Sequence, residues 1–173
     1  DLGSSEYGCA DAANILYTIG RFPRDIAIRE ACVKELQRFQ KEDGRFEEPT
    51  HHTIHTTAHC VAALELFDAA PSLPLTFHMD NFGTSEKAVA FLDSLEWDGN
   101  PWNESHKGAG FYAAMALACD MPLEWHDSYF DWLAANVDQT TGIGREGAHN
   151  GKRSMIHHLA GWFHYMFNHI YAH

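Results

Sequence analysis

The sequence predicts an all-α fold, and three observations support this prediction. Apolar residues recur at helical spacing along almost the whole chain. No convincing stretch shows the strict alternation of a half-buried strand. Charged, amphipathic segments alternate with segments that are rich in alanine, glycine and aromatic residues. With 173 residues, 45% of them apolar and 21% charged, the chain is long enough for one hydrophobic core, and we expect a single all-α domain over residues 1–173.

Seven helices are predicted along the chain. Their expected bounds are residues 9–20, 24–40, 53–67, 85–95, 105–119, 123–137 and 154–171. Gly20 and Pro23 end the first helix. Apolar residues at three- and four-residue spacing predict which face each of the first two helices buries. These residues are Ala12, Ile15, Leu16 and Ile19 in the first helix, and Ile28, Cys32, Leu36 and Phe39 in the second.

The charge of the chain argues against several classes of partner. Twelve Lys and Arg against 24 Asp and Glu give a net charge of -12, which repels nucleic acids and anionic lipids. No apolar run reaches the roughly eighteen residues of a membrane span, and no secretory leader is recognisable. Four cysteines lie far apart with no Cys-x-x-Cys pair, which favours free thiols in a reducing compartment. We therefore expect a soluble, cytoplasmic protein with neither a nucleic-acid partner nor a membrane span.

A glycine-containing loop follows each charged helix. The three loops read QKEDGRFEEPTHH, LEWDGNPWNESHKG and DQTTGIGREGAHNG. Aligned on Gly44, Gly99 and Gly142, they repeat after 55 and then 43 residues. Such a period is typical of helical hairpins that stack on their neighbours.

One of these repeats resembles a known family. The stretch LQRFQKEDGRF at residues 36–46, followed by HHTIHTTAHCVAALEL at 51–66, is similar to the repeat of terpenoid-cyclase and protein-prenyltransferase α/α toroids. In that family a helix ends in Gln-x-x-Asp-Gly-x-Phe, and a loop leads to an inner helix. The match is weaker at residues 97–117 and weakest in the third repeat.

The resemblance implies helical hairpins arranged as a toroid or as a partial toroid arc. A complete ring has about twice as many hairpins as this chain can form. We therefore expect the chain to be a fragment of a longer toroid, completed by missing hairpins or closed by a homo-oligomer. In such a ring the loop-proximal ends of the inner helices converge on a central cavity.

Histidine is the unusual residue of this composition, with 13 copies that gather near the starts of the expected inner helices. The expected cavity lining comprises Glu6, Tyr7, Cys9, Asp11, His51, His52, His55, His59, Asn103, His106, His149, His157 and His158. Imidazoles titrate near neutrality and hydrogen-bond readily, so this grouping favours a small-molecule site. The alternative interpretation is that these histidines only cap helices and hydrogen-bond locally.

A metal site is the second possibility for these residues. His55 and His59 lie one helical turn apart, a spacing that a tetrahedral metal ion can bridge. The resemblance to prenyltransferases implies that Cys9 and His55 match two zinc ligands, but Tyr7 stands where the family has its Asp ligand. Asp11 or Glu6 would then have to replace that carboxylate. We therefore expect no cofactor. The alternatives are zinc held by Cys9, Asp11 and His55, or a histidine-only metal site that uses His55 and His59.

The chemistry of the expected cavity leaves more than one reaction open. No Asp-x-Asp-Asp acid of the cyclase type occurs, and few basic residues near the loops are placed to bind a diphosphate. Those basic residues are Lys107, Arg145, Lys152 and Arg153. Carbohydrate-active α/α toroids offer an analogy in which Trp102 stacks on a sugar while Asn103, His106 and Tyr112, with His158 nearby, act as charge neutraliser, base and acid.

The leading prediction is a small-molecule enzyme with a histidine-lined cavity, similar to terpenoid cyclases and prenyltransferases. The first alternative is a carbohydrate-active lyase or hydrolase, and the second is a non-catalytic toroid that binds a ligand or partner; whether the chain is an enzyme stays open. The expected catalytic residues are His55, His106, Asn103, Tyr112 and His158. The expected substrate-binding residues are His51, His52, Trp102, Lys107 and His157.

Overall fold

A computed structural model describes residues 3–97, 99–144 and 154–172. Within these residues the chain forms eight helices and no strand, which confirms the all-α prediction. The helices are α1 (Glu6–Thr18), α2 (Ile26–Gln37), α3 (Thr53–Glu65), α4 (Thr76–Phe82), α5 (Ser85–Ser94), α6 (Pro101–Ala118), α7 (Leu123–Asn136) and α8 (Met155–Ala172). None of the helices in this part of the chain is both long and apolar enough to cross a bilayer.

The chain folds into two compact units. The first contains the residues up to His78 together with Ala113–Asp120, and the second contains Met79–Tyr112 and the residues from Met121 onward. Helix α6 therefore contributes its last turns to the first unit and the rest of its length to the second.

Polar side chains fix where several helices begin. The hydroxyl of Ser5 accepts a hydrogen bond from the Gly8 N–H at 3.2 Å, so α1 begins at Glu6, earlier than the apolar pattern predicts. Asp25 caps α2 by accepting from the Ile28 N–H at 3.2 Å. Thr84 caps α5 in the same way. These contacts satisfy backbone donors that have no partner within their own helix.

In the first unit, α1 packs mainly against α3, and α2 covers part of both. Ala10 and Ala13 of α1 are buried in this contact. The predicted buried face of α1 is wrong, because Ile15 is 59% exposed and Ile19 is 61% exposed, with Ala12 and Leu16 also exposed. The two small alanines let the α1 backbone approach α3 closely, and this leaves the larger residues on the outside.

The predicted stripe of α2 is only partly buried. Leu36 is fully buried, Cys32 and Phe39 are partly buried, and Ile28 is 54% exposed. The C-terminal part of the predicted stripe therefore lies in the core, and its N-terminal part lies at the surface.

Each marked residue of the Gln-x-x-Asp-Gly-x-Phe motif has a structural role in the loop after α2. Gln40 donates to the carbonyl of Leu73 at 2.7 Å and accepts from the Leu73 N–H at 2.9 Å. The carbonyl of Asp43 accepts the Phe77 N–H at 3.1 Å. Gly44 has φ +85°, and Phe46 is fully buried. The motif therefore ties the loop to the segment before α4.

Two further features of the helix pattern differ from the sequence prediction. Helix α4 was not predicted, because its seven residues are too few to show a helical period. Helix α6 begins at Pro101 rather than at residue 105. Proline is favoured at the first position of a helix, since that position needs no intrahelical N–H donor.

The second unit has an aromatic core. Helix α5 packs against α7, and α6 packs against α8. Asn168 of α8 donates to the carbonyl of Ala109 on α6 at 3.1 Å and to the hydroxyl of Tyr129 at 2.8 Å. The buried aromatic residues of this unit are Phe82, Trp97, Phe111, Tyr112, Trp125, Tyr129, Trp132 and Tyr165.

Candidate functional site

Two rows of side chains face each other where α1 packs against α3. Tyr7 and Asp11 are four residues apart on α1, and His55 and His59 are four residues apart on α3, so each pair lies on one helical face. The phenolic oxygen of Tyr7 lies 3.5 Å from Nδ1 of His55. Nε2 of His59 lies 2.8 Å from Oδ1 of Asp11. The packing of two helices therefore joins a phenol, two imidazoles and a carboxylate.

The loop before α3 adds a second carboxylate and a third imidazole. Nδ1 of His51 lies 2.5 Å from Oε1 of Glu48, which also accepts from the hydroxyl of Thr50 at 2.9 Å. The ring of His51 stacks on the ring of Tyr7, with centroids 4.2 Å apart and planes within 8°. We call the set Tyr7, Asp11, Glu48, His51, His55 and His59 the Tyr7–histidine cluster.

The electrostatics of this cluster favour a protonated phenol at Tyr7 and an ionised carboxylate at Glu48. Burial raises the pKa of Tyr7, and the negative charges of Asp11 and Glu48 raise it further. Burial alone would raise the pKa of Glu48, but hydrogen bonds from the backbone and hydroxyl of Thr50 and from His51 bring that pKa below its ordinary value. Tyr7 is therefore a proton donor placed beside an imidazole, in a site that carries negative charge.

The cluster is open to solvent. The side chain of Asp11 is 52% exposed and that of His51 is 39% exposed. Each of these side chains belongs to a carboxylate–imidazole pair, and such pairs hold an imidazole in one orientation. Solvent therefore reaches the carboxylate of Asp11 and the imidazole of His51.

Cys9, a zinc ligand in the alternative prediction, lies on another side of α1. It lines an apolar groove of about 500 Å³ between α1 and α2, together with Leu16, Ile28 and Cys32. Burial raises the pKa of the Cys9 thiol, which disfavours the thiolate that zinc requires. Within the described residues, no three His, Cys, Asp or Glu side chains are grouped so as to hold a metal ion.

His52, which was expected to bind substrate, caps α3. Its Nδ1 accepts a hydrogen bond from the Ile54 N–H at 3.2 Å. This contact agrees with the alternative interpretation, in which the histidines cap helices and hydrogen-bond locally.

A second, smaller group of rings lies in the other unit. The ring centroids of His106 and His164 lie 4.2 Å apart. The ring of Trp102 is edge-on to both, with centroid distances of 5.5 Å to His106 and 5.4 Å to His164. Trp102 is 43% exposed. Ser105 lies below the rings, with its hydroxyl 2.7 Å from Nδ1 of His164. His164 was not among the expected site residues, because only the packing of α8 on α6 brings it to His106.

The other residues expected in the sugar-binding analogy lie in different surroundings. Tyr112 is buried between Trp125 and Tyr129, its hydroxyl lies 3.0 Å from Nδ1 of His126, and burial raises its pKa to about 12. His158 is buried, and Asn103 is exposed.

Two more of the expected residues make local contacts within their own helix or at its start. Lys107 forms an ion pair with Glu104 at 2.7 Å. Nδ1 of His157 lies 2.7 Å from the hydroxyl of Ser154. Expected residues that lie outside the described residues are Arg145, His149, Lys152 and Arg153.

The comparisons with known proteins add no relative. No family model matches the chain, and neither a curated protein nor a solved structure matches it at a significant level. The resemblance to α/α toroids therefore rests on the sequence motifs, of which the one around Gly44 is the strongest.

Proposed function

We propose that the protein is a small-molecule enzyme and that the Tyr7–histidine cluster is its acid–base site. The observation that carries this proposal is the pairing of the Tyr7 hydroxyl with His55 at 3.5 Å, flanked by the Asp11–His59 and Glu48–His51 pairs. General acid–base catalysis needs a proton donor and a proton acceptor that can both reach the reacting atoms of one bound substrate. Tyr7 supplies the donor and His55 supplies the acceptor.

The charge of the cluster indicates the class of substrate. Asp11 and Glu48 give the site negative charge, and its described members include no Lys or Arg. A prenyl diphosphate needs cationic side chains around its phosphates. A neutral molecule with several hydroxyl groups needs hydrogen-bonding partners, and the phenol, imidazoles and carboxylates of the cluster provide them. We therefore favour the carbohydrate-active alternative over prenyl-transfer chemistry.

In the proposed reaction, an elimination of the lyase type, His55 takes a proton from a substrate carbon and the electrons of that C–H bond form a C=C bond. The neighbouring C–O bond breaks as Tyr7 donates its proton to the leaving oxygen, and the proton on His55 then returns to Tyr7 across their 3.5 Å contact. The carboxylates of Asp11 and Glu48 hold His59 and His51 in place on either side. The raised pKa of Tyr7 keeps its proton on the phenol until a substrate oxygen receives it.

We also propose that the helices form an arc of an α/α toroid. This proposal is supported by the order of contacts within each unit, in which α1 lies against α3, α5 against α7 and α6 against α8. Contacts between every second helix are typical of stacked helical hairpins, in which inner helices contact inner ones and outer helices contact outer ones. The loop after α2, which uses all the marked residues of the repeat motif, supports it further.

The experiment that tests the function is a ligand panel read by thermal shift and calorimetry, followed by an assay of bound compounds for turnover. The panel contains oligosaccharides, uronic acid oligomers and prenyl diphosphates. A ligand at a hundredfold excess over its dissociation constant stabilises the folded state by about 2.7 kcal/mol. We expect an oligosaccharide to bind, and we expect Tyr7→Phe and His55→Gln each to reduce its turnover by a factor of about 100 or more.

The matched control is Tyr17→Phe, which removes the hydroxyl of an exposed tyrosine on the same helix, outside the cluster. It should leave binding and turnover unchanged. Binding of a ligand without any turnover would favour the non-catalytic alternative. Turnover that survives both Tyr7→Phe and His55→Gln would contradict the assignment of the site.

A second candidate function rests on Trp102. Its exposed ring, beside the paired rings of His106 and His164, has the form of a platform on which a sugar ring can stack. We propose that this group binds sugar without acting on it. Trp102→Ala should weaken oligosaccharide binding while Trp102→Phe keeps most of it, and equal affinity in both variants would contradict this role.

A further inference from the structure

Helix α8 has two opposite faces, and the described residues of the chain cover only one of them. His158, Gly161, Tyr165 and Asn168 are buried on the second unit. The other face carries large apolar residues that are between 44% and 73% exposed. We call this set the α8 outer face; it consists of Ile156, Leu159, Phe163, Met166 and Ile170. At 100° per residue, the two faces point about 160° apart.

The spacing of the α8 outer face is that of a coiled-coil seam. Its five residues follow one another at intervals of three, four, three and four, which places Ile156, Phe163 and Ile170 at one core position of a heptad and Leu159 and Met166 at the other. Residues at this spacing form a stripe that runs straight along the helix once two helices wind around each other. A helix that is apolar on both sides is normally buried on both sides.

We propose that the α8 outer face is a self-association surface, on which α8 of a second copy of this chain packs side by side. The first argument is charge. Residues 154–172 contain no Asp, Glu, Lys or Arg, although the chain as a whole carries a charge of -12. Two copies therefore meet through a segment without formal like-charge contacts, whereas most other surfaces of the chain would repel each other.

The second argument is area. Apolar side chains of this size that are about half exposed each offer on the order of 100 Å². The five residues therefore present about 500 Å² per copy, and two copies bury about 1,000 Å², which is the lower limit for a biological interface and fits a dimer that dissociates on dilution. The seam is also self-complementary, as a symmetric dimer requires, because the same residues face each other from both copies.

Charge also argues against a lipid surface as the occupant of this face. A helix that lies on a membrane normally carries Lys or Arg beside its apolar face, and these residues bind anionic headgroups. Residues 154–172 have neither, and the net charge of the chain is repelled by such headgroups. A second copy of the chain fits the neutral, regularly spaced face better.

Sedimentation velocity over about a hundredfold range of protein concentration tests this proposal, since mass action links the dimer fraction to concentration. We expect the wild-type chain to show the mass of two 19.5 kDa protomers at the upper end of that range. Phe163→Glu, at the centre of the seam, should give monomers with an unchanged far-ultraviolet circular dichroism spectrum. Leu123→Glu, a change of the same kind at an exposed leucine of α7, should leave the dimer intact.

The variant Ile170→Glu, near the end of the seam, repeats the test if Phe163→Glu does not fold. A wild-type chain that stays monomeric overturns the proposal, as does a dimer that persists in both seam variants. Binding of a monomeric wild-type chain to vesicles of phosphatidylserine and phosphatidylcholine, lost in Phe163→Glu, would assign the face to a lipid surface and would also overturn it. Dissociation by Leu123→Glu with the seam variants still dimeric would place the interface on α7 instead.

Discussion

The hydroxyl of Tyr165 on α8 lies 2.1 Å from the point that a Cβ atom would occupy on Gly108 of α6. Tyr165 is fully buried, and its ring packs against those of Trp97 and Trp162. Among the described residues, its hydroxyl has no hydrogen-bond partner. The absence of a side chain at Gly108 therefore decides how closely α8 approaches α6.

Substitution Gly108→Ala should destabilise the protein by about 3 kcal/mol, because the added methyl group overlaps a buried side chain that has no room to move. The measurement is urea unfolding followed by circular dichroism. Gly99→Ala is the matched control, since its Cβ would meet nothing closer than 3.5 Å, and it should change stability by less than about 0.5 kcal/mol. Adding Tyr165→Phe should recover part of the loss in Gly108→Ala; a double variant no more stable than the single one would contradict this reading of the contact.

Gly44→Ala should be strongly destabilising for two separable reasons. The residue has φ +85°, and a Cβ there would lie 2.0 Å from the carbonyl oxygen of Pro74. Backbone cannot move aside as a flexible side chain can, so the loop after α2 must open. Gly142→Ala shares the positive φ, at +69°, but meets open space, so it should cost only the backbone strain of about 1 kcal/mol. Similar losses of unfolding free energy in the two variants would show that the close approach to Pro74 is not important.

The sequence was sufficient for the fold class and for most helices, but not for the choice of buried faces. Helix α1 has apolar residues on several sides, and periodicity alone favours Ile15 and Ile19. The structure buries Ala10 and Ala13 instead, because the closeness of α3 selects small side chains. Which face of α1 is buried therefore depends on the helix that packs against it, and the sequence of α1 alone does not contain that information.

The sequence predicts only part of the candidate site, because the rest depends on which helices pack together. The four-residue spacing of His55 and His59 places both on one face of α3, and this needs no tertiary information. The role of Tyr7 depends on which face of α1 meets α3, and the role of His164 depends on α8 packing against α6. A second four-residue pair, Tyr7 and Asp11, is the signal in the sequence that indicates the matching face of α1.

His78 should make the stability of the protein depend on pH in mildly acidic solution. Burial lowers its pKa from 6.5 to about 4 in the folded state, although Asp43 opposes this shift. Below about pH 6.5 the unfolded chain binds a proton that the folded chain does not, so unfolding becomes more favourable as the pH falls. Between about pH 6.5 and pH 5 the free energy of unfolding should drop by about 2 kcal/mol on this account.

The measurement is urea unfolding of wild type and His78→Phe across this pH range. The variant should lose this part of the pH dependence, whereas His157→Gln, which removes an exposed histidine, should retain it. Parallel pH profiles for wild type and His78→Phe would show that His78 does not stay neutral in the folded protein.

Removing the charge of Asp11 should lower the pKa of the Tyr7 phenol. Burial is the largest cause of the raised pKa of Tyr7, and the charge of Asp11 is the next, so Asp11→Asn leaves the burial contribution and removes a large part of the rest. The pKa can be followed by carbon NMR of labelled tyrosine, with the Tyr7 signal assigned by its loss in Tyr7→Phe. Asp68→Asn removes the same charge from an exposed site, where the carboxylate pairs with Arg29, and should leave the Tyr7 signal unchanged.

The pH profile of turnover should change together with the pKa of the Tyr7 phenol. Because a proton donor with a lower pKa releases its proton at lower pH, the alkaline limb of the turnover profile should move in the same direction as the phenol signal in Asp11→Asn. A phenol pKa that falls while the alkaline limb stays fixed would show that the group titrating in that limb is not Tyr7.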